Sequence, residues 1–113
     1  CEQFRQALLT AGPRANVDLV ARGTYGVTQG PRLETAAEIA RLERDGCDLV
    51  GMTGMPEAAL ARELGMCYAC CAFVVNWAAG KGEGEILMSE IETNIRASRV
   101  RVKRLLGALV AAG

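Results

Sequence analysis

The run Met66-Cys67-Tyr68-Ala69-Cys70-Cys71-Ala72-Phe73-Val74-Val75 contains no charged residue. It is far shorter than the roughly 20 apolar residues needed to cross a bilayer as a helix. Because alternate positions of a strand face opposite ways, a run that is apolar at every position reads as a strand covered on both faces. Strands of that kind belong to parallel sheets sandwiched between helices. An α/β layered architecture is therefore expected.

The flanking segments fit that architecture. Phe4, Ala7, Leu8 and Ala11 recur at helical spacing within Glu2–Ala11, with Gly12-Pro13 as a stop signal. Residues 17–29 read as extended, with a bend at Gly23 and Gly26. Residues 34–45 read as a helix with Ala36, Ile39, Ala40 and Leu42 inward and Gly46 at a left-handed cap. A short strand is expected over Asp48–Met52, then a helix from Pro56 to about Leu64, ended by Gly65. The apolar run, extended to Asn76, forms the long buried strand. A glycine-rich loop spans Ala78–Glu85, and one helix covers Met88–Ala111.

Charge narrows the partners. The 13 basic and 13 acidic side chains cancel, so neither nucleic acid nor an anionic membrane is expected as a partner. The late cluster Arg96, Arg99, Arg101, Lys103 and Arg104 lacks stacking aromatics and reads as a solvated helix face. Cys67 and Cys70 form a C-x-x-C, but a strand sends positions three apart to opposite faces, and the sequence has no histidine. The five cysteines are read as core thiols of a reducing compartment, and metal is not expected. Gly80-Lys81-Gly82-Glu83-Gly84 lacks both phosphate-loop patterns, and its glutamate would repel an anion.

In open α/β sheets, ligands bind beyond the carboxyl ends of the strands. Three loops meet that description: Gly30-Pro31-Arg32-Leu33-Glu34-Thr35, Gly51-Met52-Thr53-Gly54 and Asn76-Trp77. Taken alone, each also suits ordinary connection chemistry. Glu34 could be a first-turn charge, Thr53 a cap and Asn76 a turn former. Residue patterns thus give three loops around one crevice and no reaction.

Two longer motifs go further. Tyr25-Gly26-Val27-Thr28-Gln29-Gly30-Pro31-Arg32-Leu33-Glu34-Thr35-Ala36-Ala37-Glu38 resembles the G-P-x-F-E-T-x-x-E segment of trimeric purine nucleoside phosphorylases. Gly51-Met52-Thr53-Gly54-Met55-Pro56-Glu57, continued by Ala61-Arg62-Glu63 and Gly65, resembles the G-M-[ST]-x-x-P-E…A-R-x-x-G segment of the same family. The likeness runs from about Val20 to Leu106. It implies a mixed central sheet flanked by helices, of which residues 1–113 would be the carboxy-terminal part of a single domain.

The resemblance also assigns roles. Leu33 stands where the family places a phenylalanine against the purine, and Glu34 where a carboxylate accepts the N1–H of a 6-oxopurine. Met52 matches the residue along the ribose, Thr53 the hydroxyl that holds phosphate, and Asn76 the catalytic side chain opposite N7 and O6. Met88 and Ile91, at the start of the last helix, would border the 5′ end of the nucleoside. Asparagine and glutamate at these positions, with Ala78 in place of an aspartate, favour a 6-oxopurine over a 6-aminopurine. The substrate implied first is S-methyl-5′-thioinosine, cleaved by phosphate as co-substrate with no cofactor, in a cytoplasmic homotrimer. Methylthioadenosine, inosine or guanosine as substrate, and a non-catalytic nucleoside-binding or assembly module, are the competing expectations.

Overall fold

The computed structural model describes residues 1–112. Six elements follow in order: α1 (Glu2–Ala15), β1 (Tyr25–Val27), α2 (Ala36–Arg44), β2 (Leu49–Gly51), α3 (Glu57–Glu63) and α4 (Met88–Val110). β1 and β2 pair in parallel, with Tyr25 opposite Leu49 and Val27 opposite Gly51, and α2 lies between them in sequence. The α/β class is realised, with two parallel strands among the described residues.

α1 and α4 pack together. Leu8, Ala11, Ala15 and Leu105 form their buried seam, joined by Val17, Leu19, Ala69, Ala108 and Leu109. α1 runs past the expected stop at Gly12-Pro13 and ends at Asn16. Pro13 sits in the last turn, and Asn16 takes the left-handed conformation (φ 53°) that asparagine tolerates better than most residues. Val17 N–H then donates to Gly12 O at 2.9 Å. A side chain at Gly12 would lie 2.9 Å from the backbone carbonyl oxygen of Val17, so glycine allows the chain to fold back here.

α2 starts on a reciprocal cap. Thr35 Oγ1 accepts from Glu38 N–H at 3.3 Å, and Glu38 Oε2 accepts from Thr35 N–H at 2.7 Å. Ile39 is buried, Ala40 and Leu42 are half-buried, and Ala36 is exposed, so the inward face is narrower than expected. Gly46 does take a left-handed conformation (φ 87°), and so does Gly65 after α3. The five late basic residues of α4 are all exposed, as a solvated face requires.

Two expectations fail in residues 66–76. The segment has no strand ladder, and Phe73 and Val74 are exposed at 45% and 72%. A strand is defined by hydrogen bonds to a neighbour, and no described strand lies beside this one. Its backbone is held instead at single points. The Cys1 ammonium donates to Tyr68 O at 2.6 Å, and Asn94 Nδ2 donates to Val75 O at 2.6 Å. The cysteines are not all thiols either. Cys1 and Cys67 form a disulfide, Cys47 is half-buried, and Cys70 and Cys71 are exposed. The first residue of α1's approach lies against residues 67–68, which brings two sulfurs 66 positions apart together. The inference of a reducing compartment from core thiols therefore lapses. No helix of the described residues is long and apolar enough to cross a membrane.

Candidate functional site

The loops that follow β1 and β2 open onto one cleft of about 900 Å³, closed on the far side by residues 72–79. Leu33 and Glu34 reach it from the first loop, Met52 and Thr53 from the second, and Asn76 from the end of the apolar segment. The three loops named from sequence thus meet at one cavity, which runs along β2 from Cys47 to the loop at its carboxyl end, the end where α/β sheets bind ligands.

The first loop is braced from both sides. Arg32 forms a two-pronged ion pair with Glu38, at 2.7 and 2.8 Å. The Arg32 guanidinium and the Thr35 N–H hold the Glu38 carboxyl down from 4.5 to about 2. This clamp ties Arg32 to the cap of α2 and leaves Leu33 and Glu34 between two anchored residues. Glu34 is half-buried, and its Oε1 accepts a 2.5 Å hydrogen bond from Thr28 Oγ1.

The second loop is set by an aromatic ring. Tyr25 packs against Gly51 and Gly54, and its hydroxyl lies 3.3 Å from both Thr53 Oγ1 and Thr53 N. A methyl group at Gly51 would overlap that hydroxyl, so the glycine leaves room for the ring under the turn. Thr53 itself is exposed, with its hydroxyl at the cleft. Asn76 is half-buried and donates from Nδ2 to Trp77 O at 2.7 Å. An amide has two N–H donors and a carbonyl acceptor, so this bond leaves one N–H and Oδ1 for a ligand.

Across the cleft, Lys81 of the glycine-rich loop reaches Glu43 of α2 at 2.5 Å. Gly80, at φ 76°, approaches Ala36 so closely that a side chain there would meet its Cβ at 2.9 Å. The loop is a wall of the cavity docked on α2, and its lysine is already paired with a carboxylate. Among the described residues, no three of Cys, Asp or Glu converge to hold a metal ion.

Two expected site residues lie elsewhere. Met88 is exposed at 63%, Ile91 is buried at 8%, and neither lines the cleft. The apolar residues that reach it from that side are Ile86, just before α4, and Ile95, one turn after Ile91. Met88, Ile91 and Ile95 share one face of the helix, but Ile91 is buried and Met88, at the first position of the helix, is exposed. Tyr25 and Thr28 lie within the resembling segment, but sequence reasoning gave neither a role. Each sits on or just after β1 and acts on another residue's side chain across a loop, a relation with no fixed spacing in sequence.

The sequence profile of the Phosphorylase superfamily matches residues 1–111. A probable S-methyl-5′-thioinosine phosphorylase of Xanthomonas campestris is 60% identical over 107 residues, 94% of this chain and 43% of that protein. A 6-oxopurine nucleoside phosphorylase of Pyrococcus furiosus is 47% identical over 110 residues, 96% of this chain and 42% of that protein. The solved methylthioadenosine phosphorylase of Schistosoma mansoni in complex with adenine superposes with a TM-score of 0.90 at 29% identity, covering 99% of this chain and 45% of that one. The chain spans less than half the length of the relatives it matches. Matched over nearly all of its length by profile, by sequence and by structure, this chain belongs to the Phosphorylase superfamily.

Proposed function

We propose that the protein, as a full-length enzyme, catalyses phosphorolysis of a 6-oxopurine nucleoside, with S-methyl-5′-thioinosine as the preferred substrate. The observation that carries this reading is the presence of Glu34 and Asn76 on one cleft, beside Leu33, Met52 and Thr53. Hypoxanthine carries an N1–H that a glutamate carboxylate can accept. Adenine has a lone pair at that position and would leave a buried acceptor facing a carboxylate. Mismatches of this kind discriminate strongly between substrates.

The chemistry uses these side chains without a covalent intermediate on the protein. Phosphate attacks C1′, the C1′–N9 bond breaks, and its electron pair moves onto the purine. Asn76 meets the developing charge at N7 and O6, a dipole held in place before the reaction begins. Glu34 fixes the plane of the base through N1–H, and Leu33 packs on its face. Met52 lies along the ribose, and the Thr53 hydroxyl holds phosphate. The 5′ group falls on the side lined by Ile86 and Ile95, with Met88 and Ile91 on the same helix start, and a thioether suits that apolar wall better than a hydroxyl. These 113 residues act as the carboxy-terminal part of one phosphorylase domain. Inorganic phosphate is the co-substrate, no cofactor takes part, and the enzyme works as a homotrimer.

The test is phosphate-dependent base release by the full-length protein, with S-methyl-5′-thioinosine, methylthioadenosine, inosine and guanosine at equal concentration. The highest kcat/KM is expected for S-methyl-5′-thioinosine. Preference for methylthioadenosine would defeat the base-selection argument. Nucleoside binding without cleavage would replace the enzyme with a binding module.

A further inference from the structure

We infer that Thr28 is a positioning residue for base selection, acting through Glu34; this rests on the reading that Glu34 receives the base. Thr28 follows β1, and its N–H donates to Gly51 O at 2.9 Å, which fixes its backbone to the end of β2. Its hydroxyl lies 2.5 Å from Glu34 Oε1 and 3.5 Å from Gly51 O. A hydroxyl has one hydrogen to give, and a carboxylate oxygen can only accept, so the proton goes to the shorter contact with Glu34. Charge-assisted bonds of this length are the stronger kind.

The consequence lies in how the two carboxylate oxygens divide their work. Thr28 occupies Oε1, and among the described residues Oε2 has no hydrogen-bond partner. Glu34 sits in a loop ahead of α2, and a glutamate side chain there has several rotamers to lose before it can meet a ligand. The Thr28 bond removes that freedom in advance and leaves Oε2 unpaired for an N–H donor. Preorganisation of this kind improves binding and orientation without a new contact to the ligand. Thr28 need not touch the nucleoside, and its hydroxyl contributes only when the base presents a donor to Glu34.

The test uses the full-length protein with T28V, T28S, E34Q and T28V/E34Q, measuring kcat/KM for a 6-oxopurine and a 6-aminopurine nucleoside. T28V keeps the side-chain shape and removes the hydroxyl. It should lower kcat/KM for the 6-oxopurine about tenfold, the low end for a hydrogen bond to a charged group, and narrow the ratio between the two substrates. T28S should retain activity within about threefold. In the E34Q background, T28V should cost less than in the parent, because the glutamine carbonyl still accepts from Thr28 but without the charge that strengthens the bond. A T28V effect of the same size with and without Glu34, or no effect of T28V where E34Q reduces activity, would overturn the role of Thr28. No change of substrate ratio in E34Q would instead overturn the reading of Glu34. If T28V fails to fold, hypoxanthine affinity of T28A and T28S decides. Equal affinity in the two would overturn the inference, and a loss confined to T28A would support it.

Discussion

Replacing Gly51 with alanine tests whether Tyr25 shapes the cleft. The added methyl would overlap the Tyr25 hydroxyl and stand 3.1 Å from Cε2 and Cζ of the same ring. Gly51 is not in the left-handed region, so alanine suits its backbone, and the cost is one of packing. Overpacking of this kind costs about 1–3 kcal/mol. If the ring moves to relieve it, the two 3.3 Å contacts to Thr53 are given up, each worth about 0.5 kcal/mol at that length. G51A should therefore destabilise the protein by about 2–3 kcal/mol, measured by urea unfolding of the full-length protein at fixed concentration. Y25F alone should cost about 1 kcal/mol. The double variant is the decisive one. Removing the hydroxyl removes the worst contact, so G51A/Y25F should be less damaging than the sum by about 1–2 kcal/mol. Additivity within about 0.5 kcal/mol would refute the argument that this glycine exists to seat the ring. The KM for phosphate should rise in G51A if Thr53 is displaced with the ring.

The other predictions concern what holds the site in place. Glu38 is held near 2 by Arg32 and the Thr35 N–H, below its ordinary 4.5, so its contribution to stability is present above 4.5 and lost as pH falls towards 2. Acid unfolding should show E38Q less stable than the parent at pH near 5 and the two converging at pH near 2; a constant gap would be contrary to this. T35A should cost about 1 kcal/mol through loss of the cap on α2, seen as a lower urea midpoint. Peptide mapping of unreduced protein should recover Cys1 linked to Cys67, with Cys47, Cys70 and Cys71 alkylated. C67S should cost roughly 4 kcal/mol in the chain-entropy account of a cross-link spanning 66 positions. Reductant should then have no further effect on its unfolding.

The parts of this fold that were legible in sequence are those whose partners lie within a turn or two. The α2 boundaries fell within two residues because periodicity and Gly46 act locally, as did the start of α4 at Met88. The placing of Leu33, Glu34, Met52 and Thr53 on one cleft was also foreseeable, because loops after parallel strands converge at one edge; Asn76 joins them from a segment that has no strand ladder. What was not legible depends on distant partners. Residues 66–76 have the composition of a buried strand, but pairing and burial are supplied by neighbours, which composition does not contain. Cys67 read as a core thiol because nothing local distinguishes it from Cys70; its disulfide is set by where α1 begins, 66 residues earlier.

The same distinction separates the residues that would touch a ligand from those that hold them. Glu34 and Thr53 stand inside motifs, so a resemblance can name them. Thr28 and Tyr25 reach them across strand ends, and only register shows it. Tyr25 pairs with Leu49, so the ring extends two residues along β2 to Gly51 and then to the turn at Thr53. Thr28 pairs its N–H with Gly51 O and thereby turns its hydroxyl to Glu34. Both depend on Gly51: one needs its missing side chain, the other its carbonyl. A single residue at the end of β2 therefore sets the positions of the hydroxyl proposed for phosphate and the carboxylate proposed for the base. It follows that G51A, which removes no ligand contact, should impair use of phosphate and of the nucleoside together. T28V should impair the nucleoside alone, and an equal effect of T28V on phosphate would show that the two loops are not separately held.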